Sequence, residues 1–163
     1  MNSAAGDVGT GRAAIEVAAR YTHRRAGLGR VIRDYQAVSF KVADAVARLD
    51  AARALVFAAA RTLDVDGPAR RIVSEAKKVA TQAAWDACHD AMQVMGGIGY
   101  TSVYPVEKLL RDARLMTIWT GTNEVMDLLI QHEYYKDLAE SETSVRDIEM
   151  DVPEGGEEEK VFE

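Results

Sequence analysis

Gln93-Val94-Met95-Gly96-Gly97-Ile98-Gly99-Tyr100 lies between a long helical pattern and Tyr104-Pro105, where a new helix can begin. Three glycines within four positions let the backbone turn sharply and let a ligand approach the main chain closely. An alanine-rich helix leads into this turn. A short basic helix and a second tight turn, Trp119-Thr120-Gly121-Thr122, lead out of it. The arrangement reads as a ledge at the end of a helical bundle, serving either as a plain turn or as a binding surface.

Upstream of the glycines, a helix is expected from about Ala69 to Met95. Its inward stripe is Ile72, Ala76, Val79, Ala83, Ala87 and Ala91, small residues that let helix axes approach closely. Before it, Asp66-Gly67-Pro68 is a turn with Asp66 as N-cap. The longest helix is expected from Tyr35 to about Asp64, with Val42, Val46, Leu49, Val56, Ala60 and Leu63 near heptad spacing. A connector, residues 30–34, joins it to a first helix over Arg12–Ala26, which buries Ile15, Ala18, Ala19 and Thr22 and is stopped by Gly27-Leu28-Gly29. Residues 1–11 are Gly-rich and aperiodic, and read as a frayed start.

Downstream, Pro105–Met116 is a short helix opened by its proline. Thr122 caps a last helix, Asn123 to about Leu138, with Glu124 and Asp127 near its positive end. No segment alternates as a strand does over a useful length. The expected fold is all-α, an up-down four-helix bundle with one extra short helix over residues 12–138.

Charge divides the chain in the same way. The 163 residues carry a net −6, but from Ala139 onward there are ten acidic and two basic residues, a net of −8. The body before it holds 16 acidic and 18 basic residues, a net of +2. Residues 139–163 therefore read as an acidic, disordered tail. The body has no dense basic stripe with interleaved aromatics, which argues against nucleic acid as a partner. No apolar run approaches the roughly 20 residues of a membrane span, and the first residues do not resemble a signal peptide. The lone Cys88 lies in an apolar helical pattern and reads as a small buried hydrophobe in a reducing cytoplasm. His23, His89 and His132 lack the i+3 or i+4 partners of a helical metal site, so no metal is expected.

What remains is a set of polar residues at helix ends: Arg25, Gln36, Gln93, Thr122 and Glu124. An arginine fork and helix N-terminal N–H groups suit phosphate oxygens, so these parts could together hold a dinucleotide's pyrophosphate. They also admit a plainer reading, with Arg25 paired to a carboxylate, Gln36 and Thr122 as caps, and the glycines only turning.

Five motifs in order resemble the C-terminal helical domain of the acyl-CoA dehydrogenases. They are Tyr21 with Arg25-Ala26-Gly27-Leu28-Gly29; Gln36; the Gln93–Tyr100 run; Tyr104-Pro105-Val106-Glu107-Lys108-Leu109-Leu110-Arg111-Asp112-Ala113; and Ile118-Trp119-Thr120-Gly121-Thr122. The resemblance spans roughly Gly9 to Leu138. It implies a bundle that forms dimers or tetramers and whose helix ends contact the adenosine diphosphate part of FAD bound mainly by a neighbouring subunit. On that resemblance Arg25, Gln36, Gln93, Gly96, Gly97, Thr122 and Glu124 are the cofactor positions, and Trp119 stands at the acyl pocket.

The departures from the family pattern are specific. Thr120 stands where many members carry the catalytic glutamate, and a threonine hydroxyl is far too weakly acidic to serve as a base. In members that place the glutamate on the helix before the arginine turn, its position falls upstream of Met1. Leu28 replaces the usual phenylalanine, and Glu124 a frequent glutamine. The family's N-terminal helical domain and central β-domain have no counterpart here. The resemblance therefore implies a piece of an FAD-dependent acyl-CoA dehydrogenase whose other domains lie on a separate chain, inactive by itself. The alternatives are a non-catalytic dimerisation or assembly module and a truncated relic.

Overall fold

Alanine dominates the interior of this fold, and that choice sets its architecture. The computed structural model describes residues 1–65 and 67–140. Five helices, α1 (Asn2–Arg24), α2 (Gln36–Asp64), α3 (Arg70–Met95), α4 (Val106–Met116) and α5 (Asn123–Glu140), form the all-α bundle. Helix α3 is central and packs against each of the other four. It buries Ala76, Ala80, Ala83, Ala84, Ala87, Cys88 and Ala91, so small side chains cover several of its faces and let four neighbours come close. Of the expected stripe, Ile72 is only half-buried and Val79 is exposed, because a single-face stripe does not describe a helix enclosed by four others.

Helix α2 buries Ala45, Leu49, Ala52, Val56 and Ala59, an alternating four-and-three spacing. The expected stripe shares Leu49 and Val56 with this set, and places Val46 beside Ala45 and Ala60 beside Ala59. Leu49 and Val56 are indeed inside, whereas Val46 and Leu63 are exposed. Against an alanine face the close helix contact accommodates alanines, and the bulky side chains, Phe40 and Phe57 among them, turn outward.

Residues 1–11 are not frayed. Helix α1 starts at Asn2 and buries Ala4, Asp7, Val8 and Gly11, continuing the register of Ala14, Ile15, Ala18 and Thr22. Tertiary burial here overrides the weak helix propensity of Gly6, Gly9 and Gly11. The other end of the bundle also extends: Ala139 and Glu140, expected in the tail, close α5. The remainder of the expected tail lies outside the described residues, as does Asp66. Ala69 holds the N-cap position of α3, with no side-chain cap.

Between α1 and α2 the chain makes a hairpin of two short strands, β1 (Ala26–Gly27) and β2 (Arg30–Val31), and a 3₁₀ turn over Ile32–Asp34. Leu28 and Gly29 carry φ of 51° and 84°, the left-handed pair that a two-residue type I′ turn requires. The Tyr35 hydroxyl lies 3.0 Å from the Gly27 carbonyl and 3.1 Å from that of Leu28, sharing its proton between them, and the Arg30 guanidinium stacks on its ring at 3.9 Å. No helix among the described residues is long and apolar enough to cross a membrane.

Candidate functional site

The hairpin and the glycine turn face each other across a groove of about 430 Å³, lined by Tyr21, Arg25, Gly27, Gln93, Gly96 and Gly97 among others. Tyr21 meets Tyr104 edge-on at 5.8 Å, which pins the end of α1 to the segment entering α4. Arg25 is the C-cap of α1 and is exposed, and no carboxylate among the described residues pairs with it. Gln93 is exposed in the last turn of α3.

The three glycines of the turn stand in three different situations. Gly96 adopts φ 67° and ψ −149°, a region essentially reserved for glycine. A Cβ on Gly99 would lie 2.9 Å from Met95 Cβ and 3.1 Å from the Met92 carbonyl, so packing requires its absence. A Cβ on Gly97 would meet nothing within 4 Å, and its φ is not left-handed. Neither backbone nor packing within this chain calls for glycine there, and the floor of the groove is left open.

The remaining sequence-derived positions gather at the turn before α5. Thr120 and Gly121 have φ of 52° and 94° in succession. For a β-branched residue the left-handed region is an outlier costing about 1–2 kcal/mol. Trp119, 43% exposed, stands beside exposed Leu115 and Ile118. Thr120 lines a cleft of about 470 Å³ with Val73, Ser74, Lys77 and Met126. Thr122 does cap α5: its hydroxyl oxygen accepts a long hydrogen bond, 3.4 Å, from the Val125 N–H. Hydrogen bonds from the Thr122 hydroxyl, and next from Glu124's own backbone N–H, hold the Glu124 carboxyl below its ordinary range.

These two groups do not form one pocket. Lys77, which touches the second turn, and Gln93, in the first groove, are sixteen residues apart on α3, or about 24 Å at 1.5 Å per residue. Gln36 lines neither space. It opens α2 directly after the hairpin-clamping Tyr35, and no side-chain hydrogen bond caps that helix.

The sequence reading missed a set of buried polar residues. The Lys77 ammonium, 6% exposed, donates to the Gly121 carbonyl at 2.8 Å and to Asn123 Oδ1 at 3.0 Å. The Thr81 hydroxyl stands 3.0 Å from the same Asn123 oxygen. Asp7 is 0% exposed, and neither of its carboxylate oxygens has a hydrogen-bond partner. Burial pushes its carboxyl from 3.8 up to about 7, against the opposing pull of the Lys77 charge. Burial likewise lowers the proton affinity of Lys77, opposed by Asp7 and Glu124. Cys88 is buried as expected, and burial, with Asp112 and Asp7 adding to it, pushes its thiol to about 12, so it is unreactive. The available signal was register: Asp7 and Lys77 each interrupt a run of small residues on a core face.

The model of the acyl-CoA dehydrogenase C-terminal domain family matches residues 1–135. Over 127 residues the chain is 44% identical to an acyl-CoA dehydrogenase of Bacillus subtilis (strain 168), covering 78% of this chain and 34% of that protein. It is 36% identical over 130 residues to subunit CarC of the caffeyl-CoA reductase-Etf complex of Acetobacterium woodii, covering 80% of this chain and 34% of that subunit. Its fold superposes on butyryl-CoA dehydrogenase from Megasphaera elsdenii with a TM-score of 0.80 at 34% identity, over 82% of this chain and 35% of that one. The chain thus spans about a third of the length of these relatives.

Proposed function

The chain belongs to the acyl-CoA dehydrogenase family, matching its C-terminal domain, and from that membership we propose that it supplies the helical part of an FAD site in an oxidoreductase acting on the CH–CH group of acyl-CoA. The observation that carries this reading is the groove where Arg25, Gln93, Gly96 and Gly97 meet. An arginine with no carboxylate partner among the described residues beside an open glycine floor suits a phosphate approaching the main chain. When bound, FAD would accept the hydride that the acyl chain loses as its α,β bond becomes double.

The separation of about 24 Å along α3 bears on stoichiometry. A single pyrophosphate is far shorter than that, so Arg25 and Gln93 do not share one pyrophosphate with Thr122 and Glu124, and we assign the two groups to different cofactor molecules. Two copies, or a copy and a partner chain, are needed to complete each site. Large outward-facing side chains, including Phe40, Phe57, Tyr100, Val103 and Leu128, suit such an assembly, since exposed apolar patches mark interaction surfaces.

Thr120 does not supply a base, so abstraction of the α-proton falls to a group outside this chain. By itself the chain is expected to show no acyl-CoA oxidation even with FAD and an electron acceptor added, and measured turnover by the isolated chain would overturn this division of labour. The first test of the whole reading is a visible absorption spectrum of the protein isolated gently from its own cells. Flavin bands and a co-purifying chain are expected. A colourless homo-oligomer would replace this reading with that of an assembly module, the alternative that the missing base favours.

The two open glycines separate stability from binding. Gly96→Ala is expected to cost about 1–3 kcal/mol, because φ 67° and ψ −149° lie in a region essentially reserved for glycine. Gly97→Ala should leave urea unfolding within about 0.5 kcal/mol of the parent while weakening flavin retention about tenfold, or 1.4 kcal/mol. Equal flavin retention in Gly97→Ala and parent would remove this groove from the cofactor site.

A further inference from the structure

A lysine inside an alanine-packed helix face calls for a reason, because burying an ammonium costs several kcal/mol before any contact repays it. Lys77 is flanked by fully buried Ala76 and Ala80, and helix packing at this place is met by alanine. Its ammonium is directed instead at one segment, through two hydrogen bonds. At 2.8 Å it holds the carbonyl of Gly121, and at 3.0 Å the side chain of Asn123, the first residue of α5. Between those anchors and α4 lies Thr120, a β-branched residue at φ 52°, a conformation that persists only where the surroundings impose it. From the other side the Asn123 N–H donates to the Thr117 carbonyl at 3.1 Å, and the Trp119 N–H to that of Leu115 at 3.0 Å.

We infer that Lys77, through Gly121 and Asn123, is the positioning residue of the 119–123 turn, setting where Trp119, Thr120, Thr122 and Glu124 stand toward bound flavin and acyl chain. The importance of those four positions rests on the function proposed above; the brace itself does not. Asp7 is the negative charge buried near the ammonium on α1, and Thr81 the hydroxyl that shares the Asn123 oxygen. The brace therefore ties the turn to α3 while answering to a charge on α1.

Trp119 reports on this directly once the only other tryptophan is removed as Trp85→Phe. The test combines Lys77→Met with Asp7→Asn, so that neither buried charge is left alone. Far-UV circular dichroism should keep its helical form while the acrylamide quenching constant of Trp119 roughly doubles as the turn loosens. Unchanged quenching in a folded double variant would overturn the inference. Should that variant fail to fold, Asn123→Ala removes one anchor at the edge of the turn: raised quenching supports the brace, and unchanged quenching overturns it. Flavin retention separates the two levels. Loosened Trp119 in a protein that never carries flavin would overturn the cofactor reading and leave the brace standing. Full flavin retention with Trp119 unmoved would overturn the brace alone.

Discussion

Asp7→Asn is expected to stabilise the fold at pH 8 by about 1–3 kcal/mol and to bring no gain near pH 4. Asp7 is enclosed in the contact of α1 with its neighbours, with no hydrogen bond to either oxygen, and burial raises its carboxyl to about 7 from 3.8. The folded state therefore keeps a proton that the unfolded chain has released. Stability from this group is full below about pH 4 and is lost as the pH rises through 7. A shift of that size corresponds to about 4 kcal/mol between the two ends of the interval. Asparagine removes the charge but brings a buried amide whose unmet donors cost about 1–3 kcal/mol at every pH, so only part of the difference is recovered. Urea unfolding of parent and variant from pH 4 to 8 should give a falling line for the parent and a flatter one for the variant. Parallel lines would mean that Asp7 does not titrate in this interval. A parent line that rises would mean that attraction to Lys77 outweighs burial.

Local chemistry made most element boundaries legible. Gly27 to Gly29, Pro105 and Thr122 mark ends that depend on nearby backbone and side-chain groups alone, and the structure places helix ends beside each of them. Core facing was harder to read, because in α2 alanines join Leu49 and Val56 in the core while Val46, Phe57 and Leu63 face out. Hydrophobicity taken as a proxy for burial selects the larger residues. Those residues suit a surface to be covered, and the chain spans only about a third of its relatives' length. The start of α1 was misjudged for the complementary reason. Its glycines resemble a loop until one sees that Ala4, Asp7, Val8 and Gly11 keep the burial register of the rest of the helix. The candidate site residues come from motifs, which do not say how residues group in space; the sixteen residues from Lys77 to Gln93 separate them to two ends of one helix. Lys77 and Asp7 were passed over because an isolated charge in a helix is ordinarily a solvated one.

Of the glycines in α1, Gly11 is expected to be the one that cannot be replaced. A Cβ there would lie 2.6 Å from Leu49 Cδ2 and 3.0 Å from the Cα of Ala84, whereas at Gly6 or Gly9 it would meet nothing within 4 Å. The helix propensity gained on replacing glycine by alanine is about 1 kcal/mol at each site. At Gly6 and Gly9 nothing opposes it, so each alanine should add about 0.5–1 kcal/mol. At Gly11 the obstruction involves a fully buried leucine and the backbone of α3, which packs against each of the other four helices. Leu49 has little room to swing away, and moving Ala84 would shift the helix that all the others contact. Overpacking of this kind costs about 1–3 kcal/mol and exceeds the propensity gain, so Gly11→Ala should lose about 1–2 kcal/mol net. Gly11→Leu, which drives a whole side chain into the same gap, should lose about 3 kcal/mol or more, enough to consume much of the roughly 5–15 kcal/mol that holds a domain together. Urea unfolding of the three alanine variants side by side gives the test, because one substitution type in one helix must then change sign within six positions. A Gly11→Ala protein as stable as Gly9→Ala would show that α1, α2 and α3 do not meet at this point as closely as the structure has them.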